Sequence, residues 1–284
     1  MGLPEKTDGL KRILRGYPAL IVAYSGGVDS TLLLFLAHAE LGQNVLAVTA
    51  RSPIHPAREL RLATEFTAAR GIRHKIIDSR EIQQADFLAN PSERCYVCKK
   101  YLLGDLIELG RRLGIQHVAH GANVDDSHDF RPGSRAAREM GIAAPLVEAG
   151  LTKADIRRLS RDMGLPTWNK PSMACLASRI PYGTPITEKA LKMIDAAEEF
   201  ILALGFATVR VRQHGDIARI ELKPGECDRM LAAQTRLMVV KRLKELGFRY
   251  VALDLEGYTT GSLNRALPRQ KYVPGAKGKP GNDG

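Results

Sequence analysis

The 284 residues, 44% of them hydrophobic, suffice for a full α/β domain with a smaller second one and need no disulfide staples. The net charge of +11, from 42 Lys and Arg against 31 Asp and Glu, raises a nucleic-acid partner, but the basic residues are scattered and no run interleaves them with aromatics. The charge is therefore a weak pointer to nucleic acid, and a site for a small polyanion explains part of the excess equally well.

No apolar stretch approaches the roughly 20 residues that cross a bilayer, and the N-terminal MGLPEKTDGLKR lacks a signal peptide's apolar middle. Four unevenly spaced cysteines make no disulfide framework. A cytoplasmic protein with free or ligating thiols and no membrane partner is expected.

In chain order, the apolar run over 19–24 reads as a central parallel strand and TLLLFLAHAE over 31–40 as the helix after it. Between them lies Tyr24-Ser25-Gly26-Gly27-Val28-Asp29-Ser30, whose residue types suit pyrophosphate. Gly26 and Gly27 admit close backbone approach, the hydroxyls of Ser25 and Ser30 can donate to phosphate oxygens, and the helix start carries partial positive charge. Asp29 would repel bare phosphate, so it works through Mg²⁺ or holds the loop. No lysine sits in this turn and no G-x-x-x-x-G-K-[ST] occurs in the chain, which argues against a P-loop NTPase.

Further strands are expected over 44–51, 74–78 and 117–122, with helices over 56–70 and 99–113 between them. That order gives an α/β fold, a doubly wound parallel sheet with ligands at the strand C-terminal ends. Gly121, Asn123, Asp125 and Asp126 follow the fourth strand, on the same rim as the Ser25 to Ser30 turn. Thr152-Lys153-Ala154-Asp155 reads as a capping box opening a helix to Met163, which Gly164-Leu165-Pro166 ends.

The stretch WNKPSMACLASRIPYGTPIT over 168–187 has no period and is rich in Pro, Ser and small residues; a loop of that length in a compact protein is usually functional. A helix over 187–204, strands over 207–213 and 216–222 joined by a His214-Gly215 turn, a helix over 234–246 and a strand over 249–255 follow. They describe a smaller α+β domain with helices on one sheet face. From Ala266, 4 Gly and 3 Pro fall in 19 residues, a composition expected to be disordered. The expected organisation is a nucleotide-binding domain over 1–166, an active-site loop over 167–186, a small substrate domain over 187–265 and a tail over 266–284.

Strand alternation puts Val209 and Val211 on one face and Arg210 and Arg212 on the other, about 7 Å apart, with Arg219 of the partner strand nearby. Two guanidiniums on an open sheet face read either as a fork for phosphate or carboxylate or as a solvated basic face. His214 reads as a turn residue. Cys175 sits amid Lys170, Arg179 and hydroxyls, an electropositive setting that favours thiolate; the competing reading is a small buried hydrophobe.

Cys95-Tyr96-Val97-Cys98 follows Asn90-Pro91 and opens a lysine-bearing helix. Its thiols can share a metal or cluster iron or act as a redox pair, and with Cys175 they would supply three thiolates for a [4Fe–4S] cluster with one iron open. Structural zinc is disfavoured, because a closed site wants four ligands and only remote Cys227 or a histidine is left.

The Ser-Gly-Gly-x-Asp-Ser pattern at 25–30 resembles the PP-loop ATP pyrophosphatase superfamily, whose members cleave ATP between the α and β phosphates and adenylylate a substrate. The stretches GANVDD at 121–126, DFRPG at 129–133 and KPSMACLASRIPYGT at 170–184 resemble the LarE family, ATP-dependent sacrificial sulfur transferases that build the nickel-pincer cofactor of lactate racemase. The likeness runs over about 11–263. It implies that ATP with Mg²⁺ adenylylates a carboxylate of a pyridinium biscarboxylic acid mononucleotide, releasing pyrophosphate, and that sulfur from the protein then displaces AMP to leave a thiocarboxylate.

The resemblance assigns ATP to Ser25, Gly26, Gly27, Asp29, Ser30, Gly121, Asn123 and Asp126. It assigns sulfur donation to Cys175, which becomes dehydroalanine, and the substrate to Arg210 and Arg212 with Arg179. Glu199 and Asp228 align roughly with acidic residues of the family's active site, and either would remove the α proton during sulfur loss. Cys95 and Cys98 open the alternative that some family members and related tRNA-thiolating enzymes use, three cysteines around a [4Fe–4S] cluster that carries an extra sulfide.

Other nickel-pincer biosynthesis proteins are the implied partners, and the family implies a homo-oligomer. Three competing functions are a tRNA thiolase, against which stands the lack of an appended RNA-binding module, an amide-forming PP-loop synthetase of the NAD or GMP synthetase kind, and a non-catalytic adenine-nucleotide sensor.

Overall fold

The computed structural model describes residues 2–127, 132–171, 174–259 and 262–266. The expected disordered tail beyond 266, Asp129-Phe130-Arg131 and Ser172-Met173 lie outside the described residues.

Four strands, β1 (Leu20–Ala23), β2 (Val45–Arg51), β3 (His74–Asp78) and β4 (His117–His120), form a sheet in the order β3-β2-β1-β4. Every pairing in it is parallel; Leu20 stands opposite Val45 on one side and His117 on the other. Successive side chains of a strand leave on opposite faces. Leu20, Val22, Val45 and Ala47 accordingly enter one apolar core, and Ile21, Leu46 and Val48 enter another. The short apolar runs of β1 and β2 thus bury both faces, as a parallel sheet between helices requires.

The helices among the described residues are α1 (Leu3–Arg15), α2 (Val28–Leu41), α3 (Ala57–Ala68), α4 (Ala85–Leu88), α5 (Arg94–Leu113), α6 (Pro132–Glu139), α7 (Pro145–Glu148), α8 (Lys153–Asp162), α9 (Glu188–Ala203), α10 (Cys227–Leu231) and α11 (Ala233–Glu245). The first core draws on α1, α2, α3 and α8 through Leu10, Leu14, Leu32, Phe66 and Ile156. Leu103, Leu106 and Leu109 of α5 fill the second. None of these helices is long and apolar enough to cross a membrane.

The capping box of α8 forms: Asp155 N–H donates to Thr152 Oγ1 at 3.2 Å and Thr152 N–H to the Asp155 carboxylate at 3.1 Å. Lys6 of α1 closes on the same carboxylate at 2.7 Å, and its proximity holds the Asp155 carboxyl below its ordinary range.

A second sheet holds β5 (Val209–His214), β6 (Ile217–Leu222) and β7 (Tyr250–Leu253), with β5 and β6 antiparallel and β7 parallel to β6. His214 pairs with Ile217, so the tight turn is Gly215-Asp216, one residue later than expected. α9 and α11 cover this sheet through Leu191, Ile194, Ile201, Val239 and Leu243, and Ile54, Phe87 and Leu176 reach the same core from outside it.

The described residues of the stretch over 174–187 are irregular except for a short 3-10 turn at Leu176–Arg179, yet they are anchored at several points. Leu176 N–H donates to Ile54 O at 2.7 Å, Gly183 N–H to Asn90 O at 3.0 Å and Ile186 N–H to Leu88 O at 2.9 Å. The strongest anchor is Arg179, whose guanidinium meets both oxygens of Glu198 at 2.8 and 2.9 Å with the two side chains 0% and 1% exposed.

Removing one partner of such a pair leaves an uncompensated buried charge. Arg179→Met is therefore expected to lower unfolding free energy by about 3–5 kcal/mol in urea denaturation. The double variant Arg179→Met/Glu198→Leu recovers part of that loss, and equal losses in the two variants would refute the coupling.

Candidate active site

The chain leaves β1 at Ala23 and enters α2 at Val28, so the turn between them sits at the carboxyl rim of the central strand. Gly26 adopts φ +69°, a conformation that L side chains rarely take, and Gly27 caps α2 without any side-chain cap bond. The first N–H groups of α2 are thus left to a ligand, with the helix dipole behind them. Ser25 and Ser30 face each other, hydroxyl to hydroxyl, at 3.1 Å, and Ser30 Oγ also donates to Gly27 O at 3.2 Å.

The end of β4 closes on this turn. A Cβ added to Gly121 would stand 2.8 Å from Ser30 N and 3.0 Å from Ser30 Cα, so only glycine permits the approach. Asn123 Nδ2 donates to Asp29 Oδ1 at 3.2 Å, and Lys153 Nζ pairs with Asp29 Oδ2. Asp126 accepts from Asn123 N–H at 3.0 Å, and Asp125 from Lys153 N–H at 2.7 Å. Of the two roles expected for Asp29, loop-holding is the one these contacts describe. Lys170 adds a clasp from the far side, donating to Gly26 O at 2.8 Å and pairing with Glu59 at 2.5 Å.

Ser25, Gly27 and Asp29 line a cavity of about 360 Å³ that extends to Cys95, Cys98 and Cys175. α5 starts at Arg94, five residues earlier than expected, which brings both cysteines of the CxxC inside the helix. Cys95, Cys98, Lys99, Leu102 and Leu106 recur at three- and four-residue spacing and all line the cavity. Burial, then the charge of Cys175, pushes the Cys98 thiol up from its ordinary pKa, while Cys95 is exposed at the cavity's edge. Burial pushes the Lys99 ammonium down, and burial followed by the Lys99 charge pushes His120, at the end of β4, down to about 4.

Cys175 enters the cavity from a fixed backbone. Arg179 Nη1 donates to Ala174 O at 2.8 Å, Cys175 O at 3.1 Å and Ser178 Oγ at 2.9 Å. With its remaining nitrogens on Glu198, Arg179 holds the Cys175 segment and does not line the cavity.

The sheet face expected to be open is closed. Arg210 and Arg212 are 5% and 6% exposed, because the Leu176–Arg179 turn packs on β5 and Tyr258 and Ser262 lie beside it. Arg212 is bidentate to Glu221 at 2.6 and 2.8 Å and donates to Ser178 O at 2.8 Å and Ser262 Oγ at 2.8 Å. Arg210 stacks over the Tyr258 ring at 5.1 Å, and burial, then Arg179, pushes its pKa down. A solvated basic face is thereby overturned. The expected neighbour Arg219 does stand opposite Arg212, and it pairs with Asp254 and with Glu221 at 3.2 Å.

Other expected residues lie elsewhere. Glu199 is exposed and pairs with Arg61 at 3.2 Å, and Asp228 is exposed on α10; neither lines the cavity. Cys227 also sits on α10. Among the described residues, no group of three His, Cys, Asp or Glu side chains is gathered closely enough to hold a metal ion. The donor chemistry for an iron–sulfur cluster is present in three thiols on one cavity, but the thiols are not drawn together as a ligand set.

Residues that sequence reasoning did not single out complete the walls: Lys99, Arg94, His55, Glu59 and Lys153. Lys99 carried a signal, since it follows Cys95 by four positions on one helix face. His55 and Glu59 carried none, being placed by the β2 to α3 connection.

Gly121→Ala is expected to push the β4 end away from Ser30 and to weaken binding of a nonhydrolysable ATP analogue about tenfold or more, the loss of one charge-assisted contact. Titration calorimetry measures it, and an unchanged affinity would show that the close approach is not part of the nucleotide cradle.

Residues 19–97 match the family described as Queuosine biosynthesis protein QueC. An uncharacterized protein of Synechocystis is 40% identical over 94% of this chain and 100% of its own length. The pyridinium-3,5-bisthiocarboxylic acid mononucleotide synthase of Lactiplantibacillus plantarum is 37% identical over 95% of this chain and 98% of its own. An uncharacterized protein of Methanocaldococcus jannaschii is 30% identical over 84% and 90%. With the PP-loop at the sheet rim and nearly end-to-end similarity to that synthase, the chain belongs to the LarE family of PP-loop enzymes.

Proposed function

We propose that this protein is an ATP-dependent sulfur transferase that converts a carboxylate of a pyridinium biscarboxylic acid mononucleotide into a thiocarboxylate. The observation that carries the reading is the shared cavity, in which the Ser25 to Ser30 turn and Cys175 line one space. The acceptor carboxylate oxygen attacks the α-phosphorus of ATP, and the bond to the β-phosphate oxygen breaks, releasing pyrophosphate. The α2 N-terminus and the hydroxyls of Ser25 and Ser30 bind the negative charge gathered there. Mg²⁺ bound with the triphosphate would supply charge neutralisation, and Asp29 on the nucleotide turn would offer it a ligand.

The resulting acyl adenylate carries AMP as leaving group, which a carboxylate alone lacks. Cys175 sulfur attacks the acyl carbon, its proton leaves, and AMP departs with the electron pair of the broken C–O bond. Removal of the Cys175 α proton then breaks the Cβ–S bond, so that the thiocarboxylate leaves with the sulfur and dehydroalanine remains at 175. Glu199 and Asp228, assigned this proton by resemblance, would have to move to reach it, since both lie on the exposed surface. The product passes to other nickel-pincer biosynthesis proteins, and the chain works as a homo-oligomer.

A second reading is favoured by the presence of Cys95 and Cys98 on the same cavity wall as Cys175. These three are the residues that would hold a [4Fe–4S] cluster, which when bound supplies the transferred sulfur and spares the cysteine. The matches to this chain support sulfur transfer over a tRNA thiolase, an amide-forming synthetase or a nucleotide sensor.

Cys175→Ala is expected to release pyrophosphate from ATP in the presence of acceptor while forming no thiocarboxylate. Intact-mass analysis of the wild type after turnover should show loss of one H₂S at Cys175. Thiocarboxylate production by Cys175→Ala would sink the proposal, whereas turnover with Cys175 unaltered and iron and sulfide present would select the cluster route.

A further inference from the structure

We propose that Arg94 and Lys99 form an oxyanion subsite at the thiol end of the cavity, which takes a carboxylate or phosphate group of a small-molecule reactant. The inference rests on the sulfur-transfer reading of the same cavity, and it assigns recognition to residues that the family resemblance did not single out.

The cations lining this cavity fall into two kinds. At the nucleotide end each has a carboxylate: Lys153 pairs with Asp29, and Lys170 with Glu59. At the thiol end Arg94 and Lys99 have no carboxylate partner among the described residues. Arg94 is only 3% exposed. Its Nη1 donates to Asn90 Oδ1 at 2.6 Å, its Cζ lies 4.6 Å from the Tyr182 ring centroid, and its Nε has no hydrogen-bond partner.

Those contacts aim the fork without neutralising it. Asn90 holds a left-handed conformation at φ +54°, and its Nδ2 donates to the carbonyls of Pro181 at 2.8 Å and Thr184 at 2.9 Å. The whole clamp is therefore rigid before any ligand arrives. Lys99 lines the same space from the next turn of α5, and Gly133 makes room for its stem, since a Cβ there would sit 3.0 Å from Lys99 Cγ.

A buried or half-buried cation without a counter-charge is costly, and a cavity wall that holds two of them is completed by a planar or tetrahedral oxyanion. Two reactants bring one. The acceptor presents a carboxylate, and the departing pyrophosphate presents phosphate oxygens; proximity to Cys95, Cys98 and Cys175 favours the acceptor.

Calorimetry on the full chain tests the subsite with two probes, the pyridinium biscarboxylic acid mononucleotide and inorganic pyrophosphate, against wild type, Lys99→Met, Lys99→Arg and Arg94→Gln. Lys99→Met is expected to weaken acceptor binding about ten- to a hundredfold, as loss of a charge-assisted hydrogen bond does, and Lys99→Arg to restore most of it. Because Lys99→Met deletes an unpaired charge, its melting temperature should be equal to or above that of the wild type, which a merely structural lysine would not show. Weakened pyrophosphate binding with acceptor unaffected keeps the subsite and assigns it to the leaving group. Wild-type binding of the acceptor with no effect of any variant on either probe overturns the subsite alone. Failure of the wild type to bind the acceptor overturns the sulfur-transfer reading, and failure to bind either probe overturns the subsite as well. Unchanged affinities with loss of bound iron in Lys99→Met would assign these charges to the thiolates and also overturn the proposal.

Discussion

Arg179 and Glu198 meet through two nitrogens and two oxygens in the dry space between the Cys175 segment and α9, and the placement of the sulfur depends on that contact. Glu198 does more than neutralise Arg179, because its Oε1 also accepts from Val211 N–H at 2.9 Å. One carboxylate therefore joins α9, β5 and the segment that carries the thiol. Desolvating both charges is expensive, and the arrangement holds because the remaining donors of Arg179 find Ala174 O, Cys175 O and Ser178 Oγ. A loop without periodicity thus presents its cysteine from a fixed backbone, although its sequence reads as pliant.

The same logic of compensated charge divides the cavity. Around the nucleotide turn, Asp29 with Lys153 and Glu59 with Lys170 are mutually satisfied pairs, so the cradle is electrically quiet before ATP arrives and the N–H groups of α2 remain as its anion-binding element. Around the thiols, burial raises Cys98 and lowers Lys99, so each charged form there is costly without a counter-charge. The counter-charge for Arg94 and Lys99 has to be brought there by a reactant. Activation and sulfur delivery are accordingly held at two ends of one space with different electrostatics.

The apolar runs made the parallel sheet legible, since β1 to β4 stand within two residues of their expected bounds and the alternation of Leu20, Ile21 and Val22 between two cores is what a doubly wound sheet demands. The glycine-serine turn was legible for the same reason, as a local pattern with local consequences. α1 was not, because its apolar positions are few and become meaningful only where Leu10 and Leu14 meet α2 and β1. Arg210 and Arg212 show the limit from the other side. Alternation placed them together on one face correctly, but whether that face is open depends on the 3-10 turn at Leu176–Arg179 and on Tyr258 and Ser262, none of which period-two reasoning sees. Glu198 hid behind its neighbour Glu199, and only the rotation of α9 decides which of two adjacent acids faces inward.

Why the CxxC and the nucleotide turn should share a cavity follows from the handedness of the connections. A helix that links two parallel strands runs antiparallel to them, so its N-terminus lies at the rim where the strands end. α2, following β1, and α5, leading into β4, therefore both begin at the carboxyl rim, on opposite faces of the sheet. Strand order reverses between β1 and β4, where such a sheet opens a crevice. Cys95 and Cys98, in the first turns of α5, are thus bound to stand across that crevice from Ser25 and Ser30 whatever their side chains do. Of the three cavity thiols, Cys175 is the one that topology does not place there, which is why the buried Arg179 and Glu198 contact has to.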